Sequence, residues 1–192
     1  MSQISTPQQV YELDGDILLR TADVTDAYMI REYFVANKAY LKPWEPTREA
    51  EFFSLSGWTR KLLKLQDVHK LGMGFYLLII DKPSGSMLGT VSFSNLTRFP
   101  FYACNVGYSL GEGAQGKGIM TRALTMAVNY MFTQHNMHRI MACYMPHNER
   151  SAAVLERLGF VREGYAKNYL LIDGDWRDHI TTSLTNPNWQ PK

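Results

Sequence analysis

Cysteine is scarce: Cys104 and Cys143 are the only two in 192 residues, with no CxxC pair and no accompanying Cys/His cluster. That excludes a disulfide-stapled scaffold and leaves no zinc-ligand spacing. Both lie in apolar runs, so two buried, reduced thiols are expected. Long apolar runs are missing too; none approaches the roughly 20 residues that span a bilayer. The N-terminus, MSQISTPQQVYELDGD, has no apolar core of the signal-peptide kind. A cytoplasmic setting with no membrane partner is expected. Net charge is only +2, which does not mark a chain that coats nucleic acid, and no direct DNA binding is expected. His138, His147 and His179 show no mutual metal spacing, so no metal is expected. Repeats, low-complexity tracts and Pro/Gly/Ser-rich linkers are also absent, so nothing divides the chain into several domains.

What is present reads as a globular chain. Hydrophobic residues make up 45% and charged residues 20%, a balance that argues against disorder, and a chain this long can bury a single sizeable core. Residues 1–15 read as a loose N-terminal arm and 16–192 as one domain. Ile17 to Arg20 is a short strand. Asp23 can cap a helix to about Tyr40, with Tyr28, Met29, Tyr33 and Phe34 at helical spacing. The prolines of LKPWEP, 41–46, break that helix and hold the loop extended. A second helix covers Ala50 to Lys70, with Leu55, Trp58, Leu62 and Leu65 on one stripe and Arg60, Lys61 and Lys64 largely off it.

The segments 74–80 and Met87 to Leu96 form a hairpin around DKPSGS, and Tyr102 to Leu110 is a further strand. A Gly-rich loop leads into a helix over Ile119 to Phe132. Then come a strand at 139–145 and a short helix, Asn148 to Leu158, stopped by Gly159 in left-handed geometry. A strand to Ile172, an Asp173-Gly174 hairpin turn and a strand from about Trp176 to Thr185 complete the chain. The order β-α-α-β-β-β-α-β-α-β-β predicts an α/β domain, a mixed sheet with helices on its faces.

The segment with most chemistry is the loop GEGAQGKG, which joins a strand to a helix that begins at about Gly118. Gly116 and Gly118 let the backbone turn sharply and approach a ligand, and the free N–H groups and dipole of the helix start favour an anion. Lys117 can add charge. The loop suits a pyrophosphate, although glycine count alone equally describes a surface loop. It is not a mononucleotide P-loop, since no GK[ST] follows. Further on, Asn148 follows Pro146 and is a natural N-cap, with Ser151 in the first turn; either has a plain capping or surface role as well as a ligand-facing one.

Together these stretches resemble the GCN5-related N-acetyltransferase (GNAT) family. Its signature is Gln or Arg, two free positions, Gly, one free position, then Gly or Ala. Here it reads Gln115-Gly116-Lys117-Gly118-Ile119-Met120, with Met120 in the final small-residue position. Within the family the chain is similar to the branch that acetylates the N-terminal alanine of a small-subunit ribosomal protein. The similarity lies in LKPWEP, FSN (93–95), GYSL (107–110), QGKGIM (115–120), YMPHNERS (144–151) and LGFVREGYAKNYLLIDGDWRDH (158–179).

The resemblance implies a GNAT fold: a mixed, mostly antiparallel central sheet with a splayed pair of strands and helices on both faces. It implies that 16–192 is one N-acetyltransferase domain, that acetyl-CoA is the cosubstrate, and that the acceptor is the N-terminal α-amine of a ribosomal protein, free or ribosome-associated. Gln115, Gly116, Lys117, Gly118, Ile119 and Met120 would hold the CoA pyrophosphate. The backbone around Tyr108, Ser109 and Leu110 would hold the pantetheine arm, Asn148 would contact the cofactor, and Ser151 would stand near the thioester sulfur. Two departures matter. The Tyr that many members carry seven residues after the Asn is Leu155 here, and Ser151 resembles the serine that related ribosomal-protein acetyltransferases use instead. The Glu that relatives often carry two residues ahead of the Gly on the strand is Asn105.

Chemistry makes a missing base tolerable. An α-amine titrates near 7.7 to 8.0, so roughly a third is neutral near pH 7.5, against about a thousandth of lysine amines. Glu45, in the rigid LKPWEP loop, is a candidate base or amine anchor, or else a solvated loop carboxylate. Tyr165, Lys167, Tyr169, Asp173, Trp176 and Asp178 cluster near the C-terminal hairpin, and the aromatics among them read as core or acceptor-groove wall. Arg60, Lys61 and Lys64 are a solvated face or a ribosome-facing patch. Two rival functions stay open. One is acetylation of a polyamine or aminoglycoside held by Asp173, Asp175 and Asp178; the other is a non-catalytic CoA-binding ribosome-assembly factor.

Overall fold

The computed structural model describes residues 8–191. Residues 1–7 of the expected arm lie outside the described residues. The rest of the arm is not loose: Tyr11–Asp14 forms an edge strand, β1, in a hairpin with β2 (Ile17–Thr21). Gly15, at φ +59°, makes the two-residue turn, and Arg122 ties the hairpin down through Asp14 and Asp16. All four β1 residues are exposed, so the segment carries no apolar alternation; the Gly-Asp pair was its one legible signal.

Asp23 caps the next segment as expected, in a reciprocal capping box with Asp26. The helix it starts is broken into a 3₁₀ turn (Val24–Asp26), α1 (Ala27–Ala36) and α2 (Lys38–Leu41). Asn37 sits at the break between α1 and α2. Its Nδ2 donates to the Tyr33 carbonyl at 2.9 Å and its Oδ1 accepts from the Glu112 N–H at 2.9 Å, which fastens α1 to the Gly-rich loop. The helix expected over 50–70 likewise divides, into a 3₁₀ turn (Ala50–Phe53) and α3 (Leu55–Lys70), because Ser54 is extended and accepts from the Gly57 N–H as the N-cap.

Strands β3 (Phe75–Asp81), β4 (Ser86–Thr97), β5 (Ala103–Leu110), β6 (Arg139–Tyr144), β7 (Val161–Ile172) and β8 (Asp175–Thr185) complete an eight-stranded sheet in the order β1-β2-β3-β4-β5-β6-β8-β7. Every neighbouring pair is antiparallel except β5–β6. At its centre the sheet is buried on both faces, so β3 is a continuous apolar run. Leu77 and Ile79 pack with Val91 and Val106 under Leu124, Ala127 and Met131 of α4 (Ile119–Thr133). Leu78 and Ile80 pack with Ile30 and Phe34 of α1 and with Trp58 and Leu62 of α3, where the Phe34 and Trp58 rings stack at 5.2 Å. Each such side chain taken fully from water contributes about 1.5–3 kcal/mol. Helices therefore cover both faces, as the element order required.

Two ends are held as their residues predict. Helix α5 (Glu149–Arg157) ends with Gly159 at φ +85°, where the Phe160 N–H reaches the Leu155 carbonyl and the Gly159 N–H the Glu156 carbonyl. The β7–β8 hairpin turns at Asp173 (φ +47°) and Gly174 (φ +83°), the left-handed pair that suits a two-residue hairpin.

The pairing of β4 with β5 is unusually close at Gly89, where an added Cβ would lie 2.2 Å from the Ser109 carbonyl oxygen. Gly89→Ala must push β5 outward, and we expect a loss of about 3 kcal/mol in chemical denaturation. A midpoint unchanged from wild type would show that β4 and β5 do not approach this closely.

Candidate active site

The parallel pair β5–β6 sets up the site. It is in register only at Ala103–Arg139, Cys104–Ile140 and Asn105–Met141. Beyond Asn105 the strands separate, and the β6-facing edge of Val106–Leu110 has no strand beside it. A cleft of about 800 Å³ opens there, with Tyr108, Ser109, Leu110, Gln115, Met120, Asn148, Ser151 and Glu45 among its walls. Residues distant in the chain and singled out from the sequence thus share one cavity.

The Gly-rich loop closes one end. Gly116 is at φ +73° and Gly118 at φ +71°; Gly118 is the N-cap of α4, a helix start with no side-chain cap. The space where a Cβ would stand is open at both, so their backbone is accessible to a large anion. Other parts of the loop are internal fastenings. Gln115 Nε2 donates to the Leu110 carbonyl at 2.9 Å, and Lys117 Nζ donates to the Gly113 carbonyl at 2.9 Å. The Ile119 side chain is buried in the core, which leaves its backbone as the part able to meet a ligand, while Met120 is both core and cleft wall.

At the other end Asn148 caps α5, its Oδ1 accepting from the Ser151 N–H at 3.1 Å. The Ser151 hydroxyl lies 2.6 Å from the Tyr108 hydroxyl. Burial raises the Tyr108 phenol far above its ordinary pKa of 10 and keeps it protonated. Spacing could not show this pair, since β5 and α5 meet only in three dimensions. Ser109 turns the other way: its hydroxyl bonds Tyr33 at 3.0 Å and Thr90 at 3.1 Å, so its backbone rather than its side chain faces the cleft.

The Acetyltransf_3 model, described as an acetyltransferase (GNAT) domain, matches residues 16–161. The chain belongs to the GNAT acetyltransferase family. It is 47% identical over 175 residues to the [ribosomal protein uS5]-alanine N-acetyltransferase of Escherichia coli, covering 91% of this chain and 90% of that one. The crystal structure of ribosomal-protein-S5-alanine acetyltransferase from Vibrio fischeri superposes with a TM-score of 0.92 at 49% identity, over 95% of this chain and 100% of that one. Mycobacterium smegmatis RimJ in complex with CoA-disulfide superposes with a TM-score of 0.84 at 30% identity, over 92% and 85% of the two chains. GNAT acetyltransferases use acetyl-CoA, and the open edge and glycine backbone of this acetyltransferase suit that molecule's amide arm and phosphates.

Several side chains of the acetyltransferase stand elsewhere than expected. Glu45 is not a solvated loop carboxylate; its side chain is only 19% exposed and lines the cleft, 3.5 Å from Arg48. Burial raises its pKa, against the pull of Arg48 and Lys61. The hairpin tip fixes its backbone, through the Asp173 N–H to the Glu45 carbonyl at 3.0 Å and the ion pair of Lys42 with Asp173 at 3.3 Å. Cys143 is not buried in the core but half-buried in the cleft wall, and burial raises its thiol pKa. Cys104 is buried as expected, its thiol pushed up to about 12.

Lys61 does not lie on the solvated face with Arg60 and Lys64. Its ammonium stands 4.6 Å from the Trp58 ring and 5.0 Å from that of Phe52. One helical turn from Trp58, it borders the apolar stripe, which is the signal that sequence reasoning passed over.

The aspartates offered for a polycation pocket are committed elsewhere. Asp173 pairs with Lys42, Asp175 with Arg177 at 2.8 Å, and Asp178 accepts from Tyr165 at 2.6 Å and from the Asn168 N–H at 2.8 Å. None of the three lines the cleft, whereas Tyr169 and His179 of the same hairpin do. Trp176 is exposed and contributes no wall.

Proposed function

We propose that residues 16–192 form one N-acetyltransferase domain that moves the acetyl group of acetyl-CoA to the N-terminal α-amine, alanine first, of a small-subunit ribosomal protein in the cytoplasm. The observation that carries this reading is end-to-end similarity, near half identity, to enzymes named for acetylating the alanine of ribosomal protein S5. The unassembled aspartate pocket weighs against a polyamine or aminoglycoside acceptor.

In this reading the backbone of Gln115–Met120 holds the pyrophosphate and the free edge of Tyr108–Leu110 holds the pantetheine amides. Asn148 shapes the α5 end of the cofactor site. The acceptor amine attacks the thioester carbonyl directly, within a ternary complex. A strand N–H near Tyr108 faces the oxyanion, and Ser151 meets the sulfur as the C–S bond breaks. Glu45 anchors the amine, which is already partly neutral near pH 7.5 and needs only a water path for its proton. Labelled acetyl-CoA offered to an Ala-starting ribosomal-protein peptide, to spermidine and to an aminoglycoside tests the reading. Label in the peptide alone is expected. Label in spermidine alone would reassign the acceptor, and label in none would favour a CoA-binding assembly factor.

Glu45 adds a pH signature. Its raised pKa means that the folded state holds the proton more tightly than the unfolded one. The associated stability is fully present below the unfolded pKa and is lost as pH rises through the folded value. Activity runs the opposite way, since only the carboxylate anchors an ammonium. Below about pH 7.7 protonation of the acceptor costs about one decade of kcat/KM per pH unit. Below the Glu45 pKa, above the ordinary carboxylate range, the slope should steepen to about two decades per unit. Glu45→Gln should remove the second decade; an identical slope in that variant would leave Glu45 outside the reaction.

A further inference from the structure

A second cavity, of about 410 Å³, adjoins the cleft through Glu45, Ser92, Ser94 and Gly107–Ser109 and runs under α3. It holds two cations and one carboxylate: Arg48, Lys61 and Glu45. The carboxylate is engaged by Arg48. Among the described residues Lys61 has no ion-pair partner; its ammonium is held over the Trp58 ring at 4.6 Å, the Phe52 ring at 5.0 Å and the Tyr76 ring at 5.9 Å. Burial, with repulsion from Arg48, lowers its pKa to about 8, against the attraction of Glu45. A half-buried cation with no ion-pair contact costs free energy, and an arriving anion with hydrogen-bonding oxygens recovers it.

We infer that this cavity is a subsite for a carboxylate side chain near the start of the acceptor polypeptide, with Lys61 as its counter-ion and Arg48 beside it. The inference rests on the peptide-acceptor reading above. The mouth of the cavity argues for an acceptor-borne carboxylate. It opens at Glu45 and Gly107–Ser109, where that reading places the attacking amine, so the first residues of the chain bearing that amine pass within reach. Once Glu45 is committed to Arg48 and the amine, Lys61 is the charge left unanswered, and the aromatic walls of Phe52 and Tyr76 suit the methylenes of a glutamate side chain.

The test uses uncharged Ala-starting peptides in which one glutamate is walked through the second to fifth positions, with glutamine at the same place as the reference. One position should lower the peptide KM by about tenfold, the size of one charge-assisted contact. Lys61→Met should abolish that difference and Lys61→Arg should keep it, with acetyl-CoA affinity confirming that both variants are folded. No preference at any position, or a preference that survives Lys61→Met, overturns the subsite. Free glutarate inhibiting competitively against peptide without any positional preference also overturns it, in favour of a small-acid site. If every Ala-starting peptide is inert while spermidine is acetylated, the acceptor reading fails instead, and the subsite loses its ligand.

Discussion

Ser151→Ala should lower kcat by about 10²-fold while leaving acetyl-CoA affinity nearly intact. Thiols have pKa values near 8.5, so CoA leaves without a strong acid and the help it receives belongs at the low end of general-acid effects. The Ser151 hydroxyl can donate one hydrogen bond to sulfur while accepting another. Its neighbour Tyr108, 2.6 Å away and held protonated by burial, is the donor that fits. In the proposed reaction the pair therefore divides the work: Ser151 would meet the sulfur, and Tyr108 would orient Ser151. Tyr108→Phe should cost about tenfold in kcat, and the double variant no more than Ser151→Ala alone, because the two act as a unit.

Asn148→Ala should behave differently. It should raise the KM for acetyl-CoA and lose about 0.5–2 kcal/mol of stability, since the side chain is the α5 cap. Steady-state rates with an Ala-starting peptide, under conditions where chemistry limits, decide the matter. Wild-type kcat in Ser151→Ala would make the hydroxyl a bystander, and loss of all activity in Tyr108→Phe alone would make the phenol the acid.

Gly118→Val is the second large effect: acetyl-CoA binding, measured by calorimetry, should weaken by at least about 10²-fold. Gly118 is at φ +71°, where a β-branched residue is strained, and left-handed backbone costs ordinary residues about 1–2 kcal/mol. Beyond the adjoining backbone no protein atom lies within 4 Å of where a Cβ would stand, so the substitution meets no other part of the fold. In the proposed complex the side chain would instead fill the space through which phosphates approach the N–H groups of α4, and those lost contacts would add to the strain. Gly113, equally open but without a positive φ, is the control, and Gly113→Ala should bind normally. Wild-type affinity in Gly118→Val, with the fold intact, would remove the loop from the cofactor site.

The strands and helices were legible because their determinants are local. The buried strand at 74–80, the Asp23 cap, the Gly159 stop and the Asp173-Gly174 turn each follow from backbone preference or burial pattern over a few residues. The breaks at Asn37 and Ser54 were not legible. Asn37 is tied to Glu112, 75 residues away, and Gly57 packs against Glu51 through a bend that helical periodicity passes over. Edge strand β1 escaped notice because a strand exposed along its whole length has no buried face to impose alternation.

The candidate site divides along the same line. Gln115–Met120, Asn148 and Ser151 lie in short motifs whose resemblance survives in one dimension, and the fold brings Gln115, Met120, Asn148 and Ser151 to the walls of the gap between β5 and β6. What surrounds them is set by contacts between distant segments: the Tyr108–Ser151 hydrogen bond, the burial of Glu45 on a loop pinned by Asp173, and the turning of Lys61 onto Phe52 and Trp58. Residue type fixes which groups can carry charge or donate a proton. Desolvation and partners decide which of them do so, and both arise only when strands and helices far apart in the chain pack together.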